Sequence, residues 1–251
     1  MSTDLNQKGY CILPPLFSKQ DIEALKDQVT KAYQQGRKFQ LQLDPSFSAG
    51  TAHHILGKAP EFMGVLNALE KQALIADFFK GPYILNSFGA ALQFPHSESY
   101  VHRIHRDLRR FSGFYPLMLN VLIVLDSFTS ENGGTWVLPG SHLKAEKPEP
   151  ADFFDAACQI VAEAGSVVLF NSNLWHCAGE NKTLKPRYGI TLTLTLPLMK
   201  PQFDYLSLYL PELDRLSDWE KQILGYYSRV PQDLNEWYQP SEQRFYRANQ
   251  A

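Results

Sequence analysis

"GITLTLTLP", residues 189–197, alternates Ile190, Leu192, Leu194 and Leu196 with Thr191, Thr193 and Thr195. Successive side chains of a strand point to opposite faces, so this segment packs one face and keeps the other polar. Working back from it, "YILNSFGAALQF" (83–94), "SYVHRIHRD" (99–107), "LMLNVLIVLD" (117–126), "TWVLP" (135–139) and "SVVLFN" (166–171) have the same short, strand-like texture between turns. A parallel βαβ fold needs a helix between successive strands, and none separates these runs. The pattern predicts a mostly β fold with α elements, a double-sheet antiparallel sandwich or jelly roll.

Upstream of these strands the texture is helical. After "PPLF", Ser18 is placed to cap a helix with Asp21 at the capping-box position, and Ile22, Leu25, Val29 and Tyr33 recur at helical spacing until Gly36. A second helical segment is expected over "APEFMGVLNALEKQALIADFF" (59–79), and the polar, poorly periodic "SFSAGTAHHILG" (46–57) lies between the two. Beyond about residue 203 the chain returns to helical and irregular sequence rich in tyrosine and tryptophan. The chain reads as one domain over 1–251, with an N-terminal helical layer (about 1–81) packed on one sheet, a jelly-roll core (about 82–200) and a C-terminal helical cap (about 201–251).

Composition narrows the function. With 24 basic and 26 acidic residues the formal net charge is −2, which gives no reason to expect nucleic acid as the partner. Three cysteines, Cys11, Cys158 and Cys177, are an odd number without metal-binding spacing, as expected in a reducing compartment. No apolar run reaches the roughly 18 residues of a membrane span. The expectation is a cytoplasmic protein, monomer or homodimer, acting on a small molecule.

"HRD", residues 105–107, carries the chemistry. In an extended strand His105 and Asp107 share a face and Arg106 points away. His176, in "VVLFNSNLWHCAGEN", follows an apolar strand that a sandwich can bring alongside. Two histidines and one carboxylate on a rigid sheet can form the facial triad of non-haem iron(II), and zinc accepts the same three ligands with water in the fourth position. The triad alone leaves the metal open. Arg187, eleven residues after His176 at the entrance to "GITLTLTLP", tips the balance, because a guanidinium there can clamp a carboxylate through two hydrogen bonds. A zinc hydrolase has no general need of it, whereas an enzyme using a dicarboxylic 2-oxo acid does.

"HRD", then "LNVLIVLDSFTSENGGTWVLPGSH" (119–142), then "WHCAGENKTLKPR" (175–187), resemble in order the phytanoyl-CoA dioxygenase-type iron(II)/2-oxoglutarate oxygenases, and "KGYCILPPLFSKQDIEALKDQV" (8–29) is similar to that family's opening. The resemblance covers roughly residues 8–197. It implies a double-stranded β-helix, a cupin-like jelly-roll sandwich, with His105, Asp107 and His176 on iron and Arg187 on the C5 carboxylate of 2-oxoglutarate. It further implies cosubstrate contacts from Asn120 and Thr135; Leu122 departs from the tryptophan that many members carry there. The implied reaction uses O2 and hydroxylates, or otherwise oxidises, a small molecule with release of succinate and CO2. Because Asp107 stands where an alanine or glycine would open a halide site, hydroxylation is favoured over halogenation. A non-catalytic metal-bearing jelly roll and a zinc hydrolase stand as alternatives.

Gln93, His102 and Arg109 are candidate substrate contacts. Arg103, Arg106, Arg109 and Arg110 read either as solvated charges or as the anchor of an anionic substrate bearing a phosphate, carboxylate or acyl-CoA group. His142 in "LPGSH" is expected to make structural hydrogen bonds, Cys177 to be a small buried residue, and His53-His54 to sit in a loop without a partner.

Overall fold

The computed structural model describes residues 2–45, 49–240 and 242. Residues 46–48 of the polar stretch between the helical segments, and 241 and 243–251 of the expected C-terminal cap, lie outside the described residues. The chain begins with α1 (Ser2–Gln7), β1 (Tyr10–Leu13), α2 (Lys19–Leu43), β2 (Thr51–His53), α3 (Pro60–Glu70) and α4 (Ala73–Phe79). The core follows as β3 (Ile84–Gln93), β4 (Met118–Val124), β5 (Trp136–Val137), α5 (Pro150–Ala156), β6 (Cys158–Gln159), β7 (Val167–Asn171), β8 (His176–Cys177) and β9 (Arg187–Thr195). Short 3-10 turns, α6 (Asp218–Ile223) and α7 (Leu234–Trp237) complete it.

Strand β9 is the spine. It lies between β4 and β3 in a six-stranded antiparallel sheet of order β1-β7-β4-β9-β3-β2, with Leu192 opposite both Val121 and Phe88. Its alternation sorts the two faces as the pleat requires. Ile190, Leu192 and Leu194, each at most 1% exposed, join Val29 of α2, Phe62 and Leu66 of α3 and Ile75 of α4 in the main core. Full burial of such a side chain contributes about 1.5–3 kcal/mol, so this row ties the helical layer to the sheet. On the opposite face Leu122, Val124, Val168 and Phe170 pack with Val137, Phe128 and Ile160 into a second cluster between this sheet and a three-stranded sheet of order β6-β5-β8. The two sheets make the expected sandwich. The threonine face of β9 looks into it.

The capping box at Ser18 and Asp21 is present, with the Asp21 amide donating to Ser18 Oγ at 3.2 Å. Four expectations change. Helix α2 passes Gly36 and runs to Leu43, because Gly36 borders open space and the last turns, with Phe39, Leu41 and Leu43 exposed, continue without a buried stripe. The segment 59–79 divides at Lys71-Gln72, where Gln72 turns extended (φ −90°, ψ 90°); both pieces bury apolar residues in the same core, which kept the periodicity continuous across the break. The first eighty residues are not purely helical, since β1 pairs with β7 and β2 with β3. Finally, 99–107 is no strand: Tyr100–His102 forms a 3-10 turn, and only His105 pairs, in a single bridge to His176.

Candidate active site

That bridge brings the first and last members of the proposed triad together. His105 N donates to His176 O at 3.0 Å and His176 N donates to His105 O at 2.9 Å, so two distant segments are held in register at the residues in question. One residue beyond Asp107, Leu108 N donates to Ser172 O at 3.1 Å and fixes the other side of the loop. Among the described residues, His105, Asp107 and His176 form the group suited to a metal ion, with their ligand atoms all within 4.8 Å of one another.

The side chains are aimed as well as close. Each imidazole engages a carbonyl two residues back through Nδ1, His105 with Arg103 O at 2.6 Å and His176 with Leu174 O at 2.9 Å. With each Nδ1 engaged by a carbonyl, both Nε2 atoms are left to face Asp107 at 3.6 Å, one to each carboxylate oxygen. That separation exceeds a good hydrogen bond and suits groups arranged around a shared cation. Burial pushes the His176 imidazole down to about 4, against the pull of the Asp107 carboxylate, so it is neutral at pH 7 as a ligand must be. Asn120 Nδ2 donates to Asp107 Oδ2 at 2.7 Å and orients the carboxylate. The donor set fits a divalent transition metal.

A cavity of about 300 Å³ extends from this cluster over the polar face of the large sheet. Its floor is written in the register: Gln93, Ala91, Gly89 and Ser87 of β3, Arg187, Thr191 and Thr193 of β9, and Asn120 and Leu122 of β4 lie on the sandwich side. Arg187 enters from the start of β9, opposite Gln93. It is 3% exposed, its guanidinium stacks on Phe128 with Cζ 3.9 Å from the ring centre, and Nε and Nη2 donate to the carbonyls of Asn132 and Gly133. Burial lowers its pKa to about 10, partly offset by Asp126, so it is still a cation at pH 7. A buried cation held mainly by carbonyls fits the distal carboxylate of a bound diacid, since an unpaired charge in this setting is costly.

The other expected residues divide. Asn120, Thr135 and Gln93 line the cavity, and Gln93 is buried at 3% exposure. His102 and Arg109 are not among the lining residues: the 3-10 turn sets the His102 ring on Ser99, whose amide donates to its Nδ1 at 3.0 Å, and Arg109 is exposed. Arg106 is directed away from the triad, stacked on Trp175 and donating to the carbonyls of Lys144 and Ala145. His142 bonds Asn6 O at 3.0 Å, and Cys177 is buried with Phe153 and Trp175. His53 and His54 are the departure. They line the cavity, as do Tyr100 and Gln202. Their signal, a three-residue strand pairing Thr51 with Ala91, is non-local and cannot be read from periodicity.

A family model described as phytanoyl-CoA dioxygenase (PhyH) matches residues 5–189. The uncharacterized protein Rv1501 of Mycobacterium tuberculosis is 28% identical over 269 residues, covering 98% of this chain and 93% of its own. The iron/alpha-ketoglutarate-dependent dioxygenase penM of Penicillium thymicola is 30% identical over 146 residues, covering 52% of this chain and 45% of its own. In fold, the chain is similar to the crystal structure of EctD from S. alaskensis with bound Fe, with a TM-score of 0.63, 18% identity, and coverage of 80% of this chain and 78% of that one.

Proposed function

The chain belongs to the phytanoyl-CoA dioxygenase family and is an iron- and 2-oxoglutarate-dependent dioxygenase; from that premise we propose that it hydroxylates a small molecule in the cavity, with His105, Asp107 and His176 holding iron(II) and Arg187 holding the distal carboxylate of 2-oxoglutarate. The observation that carries this reading is one cavity lined by both the His-Asp-His cluster and a buried, cationic arginine. A zinc hydrolase has no general need of that second feature.

When bound, iron(II) with 2-oxoglutarate and O2 supplies an oxidant able to take hydrogen from carbon, with succinate and CO2 as coproducts. The chain's own residues bind, orient and exclude water. The carbonyls of Arg103 and Leu174 set the two imidazoles with Nε2 inward, and Asn120 keeps the Asp107 carboxylate from rotating. Arg187 fixes one end of the cosubstrate, with Thr135 and Asn120 as further contacts along it. Leu122, Phe170 and Met118 line the same space with apolar surface, which keeps water from the reacting carbon. The arginines around the HRD loop are not among the lining residues, so they offer an anionic substrate no hold inside the cavity.

The test is conversion of 2-oxoglutarate to succinate and CO2 dependent on iron(II) and O2, followed by product mass after turnover under ¹⁸O2. One labelled oxygen in the product is expected. A product two hydrogens lighter with no added oxygen would overturn hydroxylation, and zinc-dependent activity without O2 would overturn the oxygenase itself.

A further inference from the structure

On the reading above, the two charged lining side chains other than histidine are already committed. Asp107 faces the metal and Arg187 the cosubstrate carboxylate. Among the described residues, the rest of the wall offers hydroxyls, amides, imidazoles and apolar groups, with no further carboxylate, lysine or arginine. An ionised group carried into such a space would lose its water without gaining a counter-charge, and desolvating an unpaired ion costs several kcal/mol even after relaxation. Inside the cavity, an ionised group of the substrate therefore finds no charged side chain left to pair with it.

At the β2 side the wall has a built polar feature. His53 lies opposite Gly89, two same-face steps along β3 from Gln93, the register partner of Arg187. Its Nε2 is 3.1 Å from the hydroxyl of Tyr100, which is 46% exposed at the cavity mouth. Behind them the Thr51 hydroxyl is buried beside Tyr100 without a hydrogen bond of normal length and angle. The adjacent His54 is locked: its backbone is left-handed (φ +54°), its ring stacks on Phe203 at 4.8 Å, and its Nδ1 is 2.8 Å from the Tyr205 hydroxyl. This clamp holds the end of β2, and with it His53, against the wall. An imidazole–phenol pair can donate or accept according to which ring nitrogen carries the proton, so it suits a partner that does both. Burial holds both histidines below the ordinary imidazole value, and His53 adds to the effect on His54.

We propose that the substrate is an uncharged molecule, largely apolar and bearing a hydroxyl or carbonyl group, and that the His53–Tyr100 pair recognises that oxygen. This rests on the dioxygenase reading and names its substrate class. The arginines at 103, 106, 109 and 110 then have no part in binding it.

The test separates a metabolite extract of the source organism at neutral pH into anion-retained, cation-retained and unretained pools. Each pool is added to the iron(II)-loaded enzyme with 2-oxoglutarate and O2, and succinate is measured above the uncoupled background. Stimulation by the unretained pool is expected. Stimulation confined to the anion-retained or cation-retained pool, or by no pool while uncoupled turnover proceeds, overturns the proposal. An enzyme without uncoupled turnover would instead fail the dioxygenase reading. With the compound purified from the active pool, Tyr100→Phe should raise its KM about three- to tenfold, the worth of one neutral hydrogen bond, with a smaller change in the KM for the cosubstrate. Arg109→Ala/Arg110→Ala should leave the substrate KM within about twofold. A tenfold rise in the arginine variant, or none in Tyr100→Phe, contradicts the assignment.

Discussion

Asn120 Nδ2 donates to Asp107 Oδ2 at 2.7 Å across thirteen residues of sequence, joining the middle of β4 to the loop that carries the triad carboxylate. The carboxylate's other oxygen stands 3.6 Å from His105 Nε2. Asn120 thus decides which way Asp107 turns. Asn120→Ala should weaken iron(II) binding about 10- to 100-fold, measured by competition with a chelator, while the fold persists. Asn120→Asp should be worse than alanine in the metal-free protein, because it sets a second negative charge beside the first.

Arg187→Ala should raise the dissociation constant for 2-oxoglutarate by two orders of magnitude or more, as expected when a buried charge loses its partner, and shift that for iron(II) by less than about threefold. Arg187→Lys should recover part of the loss, because a point charge replaces the guanidinium without its two-pronged geometry. Equal losses of metal and cosubstrate would mean that the arginine acts on the fold.

His176 gives the metal-free protein an acid-labile element. Burial puts its pKa in the folded state near 4, below the ordinary imidazole value, so between about pH 6.5 and 4 the unfolded chain takes up a proton that the folded chain refuses. The sign is fixed: stability present above about pH 6.5 is lost as pH falls through that window, by up to a few kcal/mol. Thermal melts of the metal-free protein should show this decline, and His176→Asn should flatten it. A melting temperature that rises on acidification across the window would contradict the burial of this ring.

Gly89 is the tight spot under the substrate wall. A Cβ there would meet the Ala52 carbonyl at 2.5 Å, and neither backbone can step aside without unpairing β2. Gly89→Ala should destabilise by about 1–3 kcal/mol, read as a lower denaturant midpoint, because β2 must shift away from β3.

Much of this was legible in the chain. The alternation at 189–197 identified the central strand, since Ile190, Leu192 and Leu194 face one core and the threonines the other side. The HxD spacing and the later His176 were visible as residues and the structure brings them together, although through a single bridge at His105 rather than the strand that the spacing suggested. What stayed hidden is non-local. Strand β2 is three residues long and exists only through its pairing with β3, so His53 and His54 read as loop. The segment around Tyr100 has strand-like composition, yet Ser99 and His102 close a 3-10 turn there, which removed His102 from the cavity and put Tyr100 at its mouth. The arginines suggested an anion from sequence proximity alone; in three dimensions Arg106 is spent on Trp175 and backbone carbonyls.

One cavity is proposed to hold iron(II) on His105, Asp107 and His176 together with a 2-oxo acid anchored by Arg187. Visible absorption under anaerobic conditions tests it most directly, with iron(II) added first and 2-oxoglutarate second. The predicted result is a weak metal-to-ligand charge-transfer band that appears only when both are present, is absent in Asp107→Ala, and in Arg187→Ala returns only at far higher 2-oxoglutarate. No band in folded, iron-loaded protein, or a band unchanged in Asp107→Ala, would contradict it.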